Sequence, residues 1–117
     1  MEWKKAPEEL VQFLAQKMKN GDCQLRKMFG YPAYFINGNM FAGIHREKLF
    51  IRLSESDAKK IRKAYAEVTP FEPMPGRTMK EYIVLPKSVY TDDKAFVEWL
   101  YKSVKYASSL PPKQKKR

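Results

Sequence analysis

The chain has 117 residues, 44% of them hydrophobic, and 23 Lys plus Arg against 13 Asp plus Glu give it a formal net charge of +10. That length suits one domain whose core removes roughly two-thirds of the unfolded surface from water, and the apolar fraction fits a globular protein and not a disordered one. The single cysteine, Cys23, excludes an intrachain disulfide and a cysteine cluster for zinc, and it fits a reduced compartment.

The opening MEWKKAPEELV has no apolar core of signal-peptide length, and no apolar run reaches the roughly 18 residues a membrane span needs. The expectation is a cytoplasmic protein with no membrane attachment. Its organisation is expected to be one domain over 1–110 and a basic, flexible tail over 111–117. Residues 87–117 carry eight basic and three acidic residues. The overall charge predicts attraction to polyanions and says nothing about fold.

In chain order, the first element is a helix over Pro7–Asn20. Pro7 suits the first helical position, Glu8 and Glu9 suit the positive end of the helix dipole, and Asn20-Gly21 is a stop. Leu10, Phe13, Leu14 and Met18 make one apolar stripe. Strands follow: Gln24–Phe29, then an interruption at Gly30-Tyr31-Pro32, then Ala33–Ile36 and Met40–Ile44 around Asn37-Gly38. Asn-Gly accepts the positive φ angles of a tight primed turn, so those two strands form a hairpin. His45–Lys48 is polar enough for a second hairpin loop, and Leu49, Ile51 and Leu53 alternate along the next strand. Ser54, with Asp57 three residues on, caps a second helix whose stripe is Ala58, Ile61 and Tyr65. The segment Thr69–Arg77, TPFEPMPGR, holds three prolines and a glycine and is expected to be an irregular loop. Thr78–Leu85 reads as a covered central strand, with Pro86 ending it. The last helix starts near Asp92 and runs to about Ser109; its stripe is Phe96, Leu100, Val104 and Ala107, widened by Val97 and Tyr101. The expected fold class is α+β: a two-layer domain in which an antiparallel meander of three or four strands and one further strand is covered by three helices.

Catalytic chemistry is not visible. The lone histidine, His45, has no partner at ligand or catalytic spacing, the glycines at 30, 38, 43 and 76 are isolated, and Glu8-Glu9 and Asp92-Asp93 sit where helix dipoles explain them. No catalytic residue, cofactor or metal is therefore expected.

Two blocks suggest a relative. Arg26-Lys27-Met28-Phe29-Gly30, the Asn37-Gly38 hairpin, Met40-Phe41-Ala42-Gly43 and Leu49–Leu53 resemble the TfoX N-terminal domain family, and Met79–Pro86 with the closing helix around Trp99 resembles its second half. The resemblance covers about residues 8–108. It implies a fold similar to secretion chaperones and supplies no catalytic motif. Two-domain members regulate DNA-uptake genes; this chain resembles the stand-alone members.

The expected function is a non-enzymatic regulatory or adaptor module acting through protein contacts, by a sheet face or an edge strand, with a protein partner and a homodimer as candidate assemblies. One alternative is a phosphate-directed, non-sequence-specific nucleic-acid binder, with contacts at Lys59, Lys60, Arg62 and Lys63 and in the tail at Lys113, Lys115, Lys116 and Arg117. The other is a small-ligand domain near the 69–78 segment. Arg26, Lys27, Arg77 and Lys80 form a candidate basic cluster should the strand from Thr78 lie near the strand from Gln24.

Overall fold

A computed structural model describes residues 7–19, 23–28, 30–74 and 76–111, with backbone alone at 73, 74 and 77–80. Ten elements follow one another: α1 (Glu8–Met18), β1 (Gln24–Met28), β2 (Tyr31–Ile36), β3 (Asn39–His45), β4 (Lys48–Arg52), α2 (Glu55–Ala64), β5 (Thr69–Met74), β6 (Arg77–Leu85), α3 (Lys87–Tyr90) and α4 (Asp93–Ser109). The strands form one antiparallel sheet in the order β1-β2-β3-β4-β6-β5. The fold is α+β, with helices flanking an antiparallel sheet in nearly the expected order.

Local chemistry explains the turns and caps. Asn37 and Gly38 have φ of 52° and 82° and join β2 to β3, with Ile36 opposite Asn39. Arg46, at φ 60°, opens the second tight loop, which sets His45 opposite Lys48. The Ser54 hydroxyl accepts a hydrogen bond from the Asp57 amide at 3.2 Å, and the Asp92 carboxylate accepts one from the Ala95 amide at 3.3 Å. Pro7 stands as the extended cap of α1, one position earlier than expected.

The proline segment is a correction. Thr69–Met74 is the strand β5 and not an irregular loop. It is an edge strand that pairs with β6 alone, so the N–H groups missing from its prolines cost little ladder bonding. The prolines still leave their mark. Pro70 pairs with Ile83 but Phe71 pairs with Met79, so the register jumps and the β5–β6 ribbon bends. The one-turn helix α3 also lay outside the sequence reading; Pro86 caps it in place of simply ending a strand.

Two cores result. Every buried apolar residue of the four helices joins the first, with Phe41, Ile44, Leu49, Ile51, Ile83 and Leu85 from the sheet. The second contains only strand residues: Ala33, Met40, Phe50, Phe71 and Tyr82, with Met28, Phe35 and Val84 at its margin. No helix residue takes part in it. Phe71 instead stacks on Phe50, with ring centroids 4.3 Å apart and 15° between planes, and Tyr82 meets Phe50 edge-on at 5.9 Å. The bent edge of the sheet thus covers its own second face.

Gly43 makes this close packing possible. A Cβ there would lie 2.7 Å from Phe50 Cζ and 3.0 Å from the Pro32 carbonyl oxygen. Gly43→Ala is expected to destabilise the fold by about 1–3 kcal/mol through overpacking, seen as a lowered urea midpoint with an unchanged m-value.

Candidate protein-contact surfaces

The outer edge of the sheet at β1 is the first exposed feature. β1 pairs with β2 alone, from Gln24 opposite Phe35 to Met28 opposite Tyr31. Its first four residues are exposed and Met28 is half-buried. Cross-strand partners share a face, so Arg26, opposite Ala33, lies on the side of the second core, and its guanidinium carbon sits 5.5 Å from the Phe35 ring centroid. Leu25 and Lys27, opposite Tyr34 and Pro32, lie on the helix side. Leu25 is 60% exposed. An edge strand that combines a bare Leu with two cations is both guarded against indiscriminate pairing and able to receive a matched strand.

Arg77 and Lys80 lie on β6, and the sheet does not pair β6 with β1: β2, β3 and β4 stand between them. The side chains of Arg77 and Lys80 are outside the described residues. Lys59, Lys60, Arg62 and Lys63 are all exposed on α2, forming an arc opposite the buried Ala58 and Ile61. The expected tail contacts at Lys113, Lys115, Lys116 and Arg117 are outside the described residues.

The outer surface of α4 is the second feature. Its inward face is Phe96, Trp99, Leu100, Ser103 and Ala107. Val97 and Tyr101, expected to widen the core stripe, face outward at 49% and 65% exposure. The core contact rotates past them because Trp99 and Ser103 point inward. Ser103 Oγ donates to the Phe41 carbonyl at 2.9 Å, so a buried hydroxyl holds α4 to β3. Asn39, also buried, donates from Nδ2 to the Pro111 carbonyl at 3.1 Å and ties the end of the helix to the same strand.

A charged network missed by sequence reasoning fixes the opposite flank of α4. Arg52 Nε and Nη2 reach Glu81 Oε1 at 2.9 and 2.7 Å, and the Tyr106 hydroxyl donates to Glu81 Oε2 at 2.6 Å. The guanidinium carbon lies 5.4 Å from the Tyr82 ring centroid and 5.5 Å from that of Tyr106. Burial pushes the Glu81 carboxyl up, but hydrogen bonds from Tyr106 and Arg52 outweigh it and hold the group below its ordinary value. The Tyr82 hydroxyl, raised by burial, donates to the Met40 carbonyl at 2.9 Å. Residues 52, 81 and 106 come from three elements, so no local spacing signals their meeting.

Cys23 is half-buried and lines a cavity of about 440 Å³ bounded by Met18, Phe35, Phe41, Leu100 and Val104. His45 ends β3 between the rings of Tyr31 and Phe71, at centroid distances of 5.2 and 5.6 Å. Burial first, then Arg46 and Lys48, lower its pKa from 6.5. Among the described residues no group of three or more His, Cys, Asp or Glu is placed to hold a metal ion, and no helix is long and apolar enough to cross a membrane.

The sequence profile described as the TfoX N-terminal domain matches residues 13–107. The chain belongs to the TfoX N-terminal domain family. Comparison with curated proteins gave no match. The TfoX N-terminal match takes in β1, the self-covered sheet and nearly all of α4, so both exposed features belong to the family domain itself.

The two titrating groups predict a two-step loss of stability in acid. His45 is depressed when folded, so the unfolded chain takes up the proton first, and stability falls as pH drops below about 6.5. Glu81 is also depressed, so its contribution is present above about 4.5 and lost below that. Urea midpoints measured from pH 8 to 3 should show both steps; His45→Gln should remove the upper one and Glu81→Gln the lower.

Proposed function

We propose that the chain is a regulatory or adaptor module that acts by protein contact, with the outer edge of β1 as its docking edge. Membership of the TfoX N-terminal domain family supports the contact role, and the exposed edge carrying Leu25, Arg26 and Lys27 supports the place. An incoming extended segment would add a seventh strand. Its backbone would supply affinity and its side chains specificity. The cations favour a partner segment bearing carboxylates. In this reading the working unit is the single domain over 1–110, a two-layer fold of the secretion-chaperone-like kind, with the basic tail over 111–117 outside it. The intracellular setting is cytoplasmic.

A photo-crosslinker placed at Leu25 in cells is expected to capture a protein, and the double change Arg26→Glu, Lys27→Glu should weaken retention of that protein by about tenfold or more. Equal retention by this variant and the parent chain overturns the edge. Loss on reversing Lys59 and Lys60 instead moves the contact to α2.

The arc of Lys59, Lys60, Arg62 and Lys63 favours a second reading, non-specific binding to nucleic-acid phosphate. Four phosphate contacts on a duplex predict a log–log salt slope of roughly −3.6. A gel-shift series at rising salt should show that slope for the full chain and a flatter one when the four cations become Gln. Absence of binding at low salt removes this reading.

A further inference from the structure

We infer that α4 carries a self-complementary dimerisation seam, and that the occupant of its outer face is a second copy of this chain. The observation is spacing combined with exposure. Val97, Tyr101, Val104 and Ser108 recur at intervals of four, three and four, which lines them along one stripe of a straight helix. Val97 and Tyr101 stand clear of the inward set at 96, 99, 100, 103 and 107, while Val104 borders that set, packing in part against the first core and joining the stripe only by its exposed side. Val97, Tyr101 and Ser108 are exposed and Val104 is half-buried. Two of the three large exposed apolar side chains among the described residues therefore lie on a single stripe. Val97 and Tyr101 lie outside the core and, one turn apart, leave a contiguous apolar patch on the surface of α4.

Charge identifies the occupant. Glu98 and Lys105 are seven residues apart, both exposed, and occupy equivalent places beside the stripe. Neither makes an ion pair among the described residues. When two copies of α4 lie antiparallel, equivalent flanking positions face one another. The register that lays Tyr101 over Val104 of the second copy also brings Glu98 to Lys105 of the second copy. The dyad repeats both contacts, so one pairing yields two aromatic–aliphatic contacts and two ion pairs. The competing register, Tyr101 over Val97 of the second copy, sets Glu98 against Glu98. The side chains thus discriminate between the two alignments, and a partner of unrelated sequence would not be needed to explain any of them. The β1 edge takes no part, so this inference is independent of the proposed docking role.

Analytical ultracentrifugation of the full chain over a concentration series is the test, with circular dichroism to confirm that each variant is folded. The parent chain is expected to show a reversible monomer–dimer equilibrium. Glu98→Lys alone and Lys105→Glu alone each turn two attractions into two repulsions and should weaken the dimer by roughly tenfold. The double variant, Glu98→Lys with Lys105→Glu, restores opposite charges across the dyad and should recover the parent affinity. Tyr101→Ser should abolish the dimer at concentrations where the parent chain associates. A parent chain that stays monomeric at its solubility limit overturns the inference. So does a dimer indifferent to Tyr101→Ser, or single charge variants that the double variant fails to rescue.

Discussion

The flat contact between Phe71 and Phe50 is the one on which the second face of the sheet depends. All four helices spend their apolar surface on the other face. Without a second helical layer, Phe50, Met40 and Ala33 would face water. Burying one Phe side chain is worth about 3 kcal/mol, so leaving this face open would cost a large part of a small domain's net stability. The chain solves this with its own edge. β5 carries Phe71 across, the register jump after Pro70 supplies the bend, and Gly43 leaves the space that Phe50 occupies. His45 and Tyr31 extend the same row of rings outward, so protonating His45 places a charge among packed rings and bears on stability.

α4 is then held on three sides. Ser103 bonds β3, the Asn39–Pro111 contact fixes the end, and the Arg52–Glu81–Tyr106 network pins one flank to β4 and β6. At the other end of the domain the ammonium of Lys17 on α1 pairs with the carboxylate of Asp93 at the start of α4. A helix so constrained presents its remaining face in one orientation, which is what a contact surface requires. The β1 edge is different. Only β2 holds it, and its first four side chains are in water, so a segment that binds there has to order them.

The element order, the Asn37-Gly38 hairpin, the caps at Ser54 and Asp92 and the helical coverage of one face were legible in sequence because each rests on neighbours within four residues. The proline strand was not. Pro70 and Pro73 argue against an interior strand, and only the position of β5 at the sheet edge makes them tolerable. The cations of β1 and β6 were legible as residues, yet the three strands that stand between them were not, because adjacency of strands is a property of the sheet order. Arg52 and Glu81 are 29 positions apart and Glu81 and Tyr106 are 25 apart, so no local pattern could join them, since each reads as an ordinary surface residue of its own element.

The amino-acid sequence by itself determined the class of the protein: a basic, single-cysteine α+β domain whose short motifs, in order, mark the TfoX N-terminal domain family. Those features are local, and local chemistry decides them. The tertiary structure alone decided which apolar residues are core and which are surface. Val97 and Tyr101 fit a helical core stripe as well as Trp99 and Ser103 do, and the choice between them was made by the sheet against which α4 rests. It also decided that the sheet covers itself, because folding an edge over a face brings together residues that share no sequence neighbourhood.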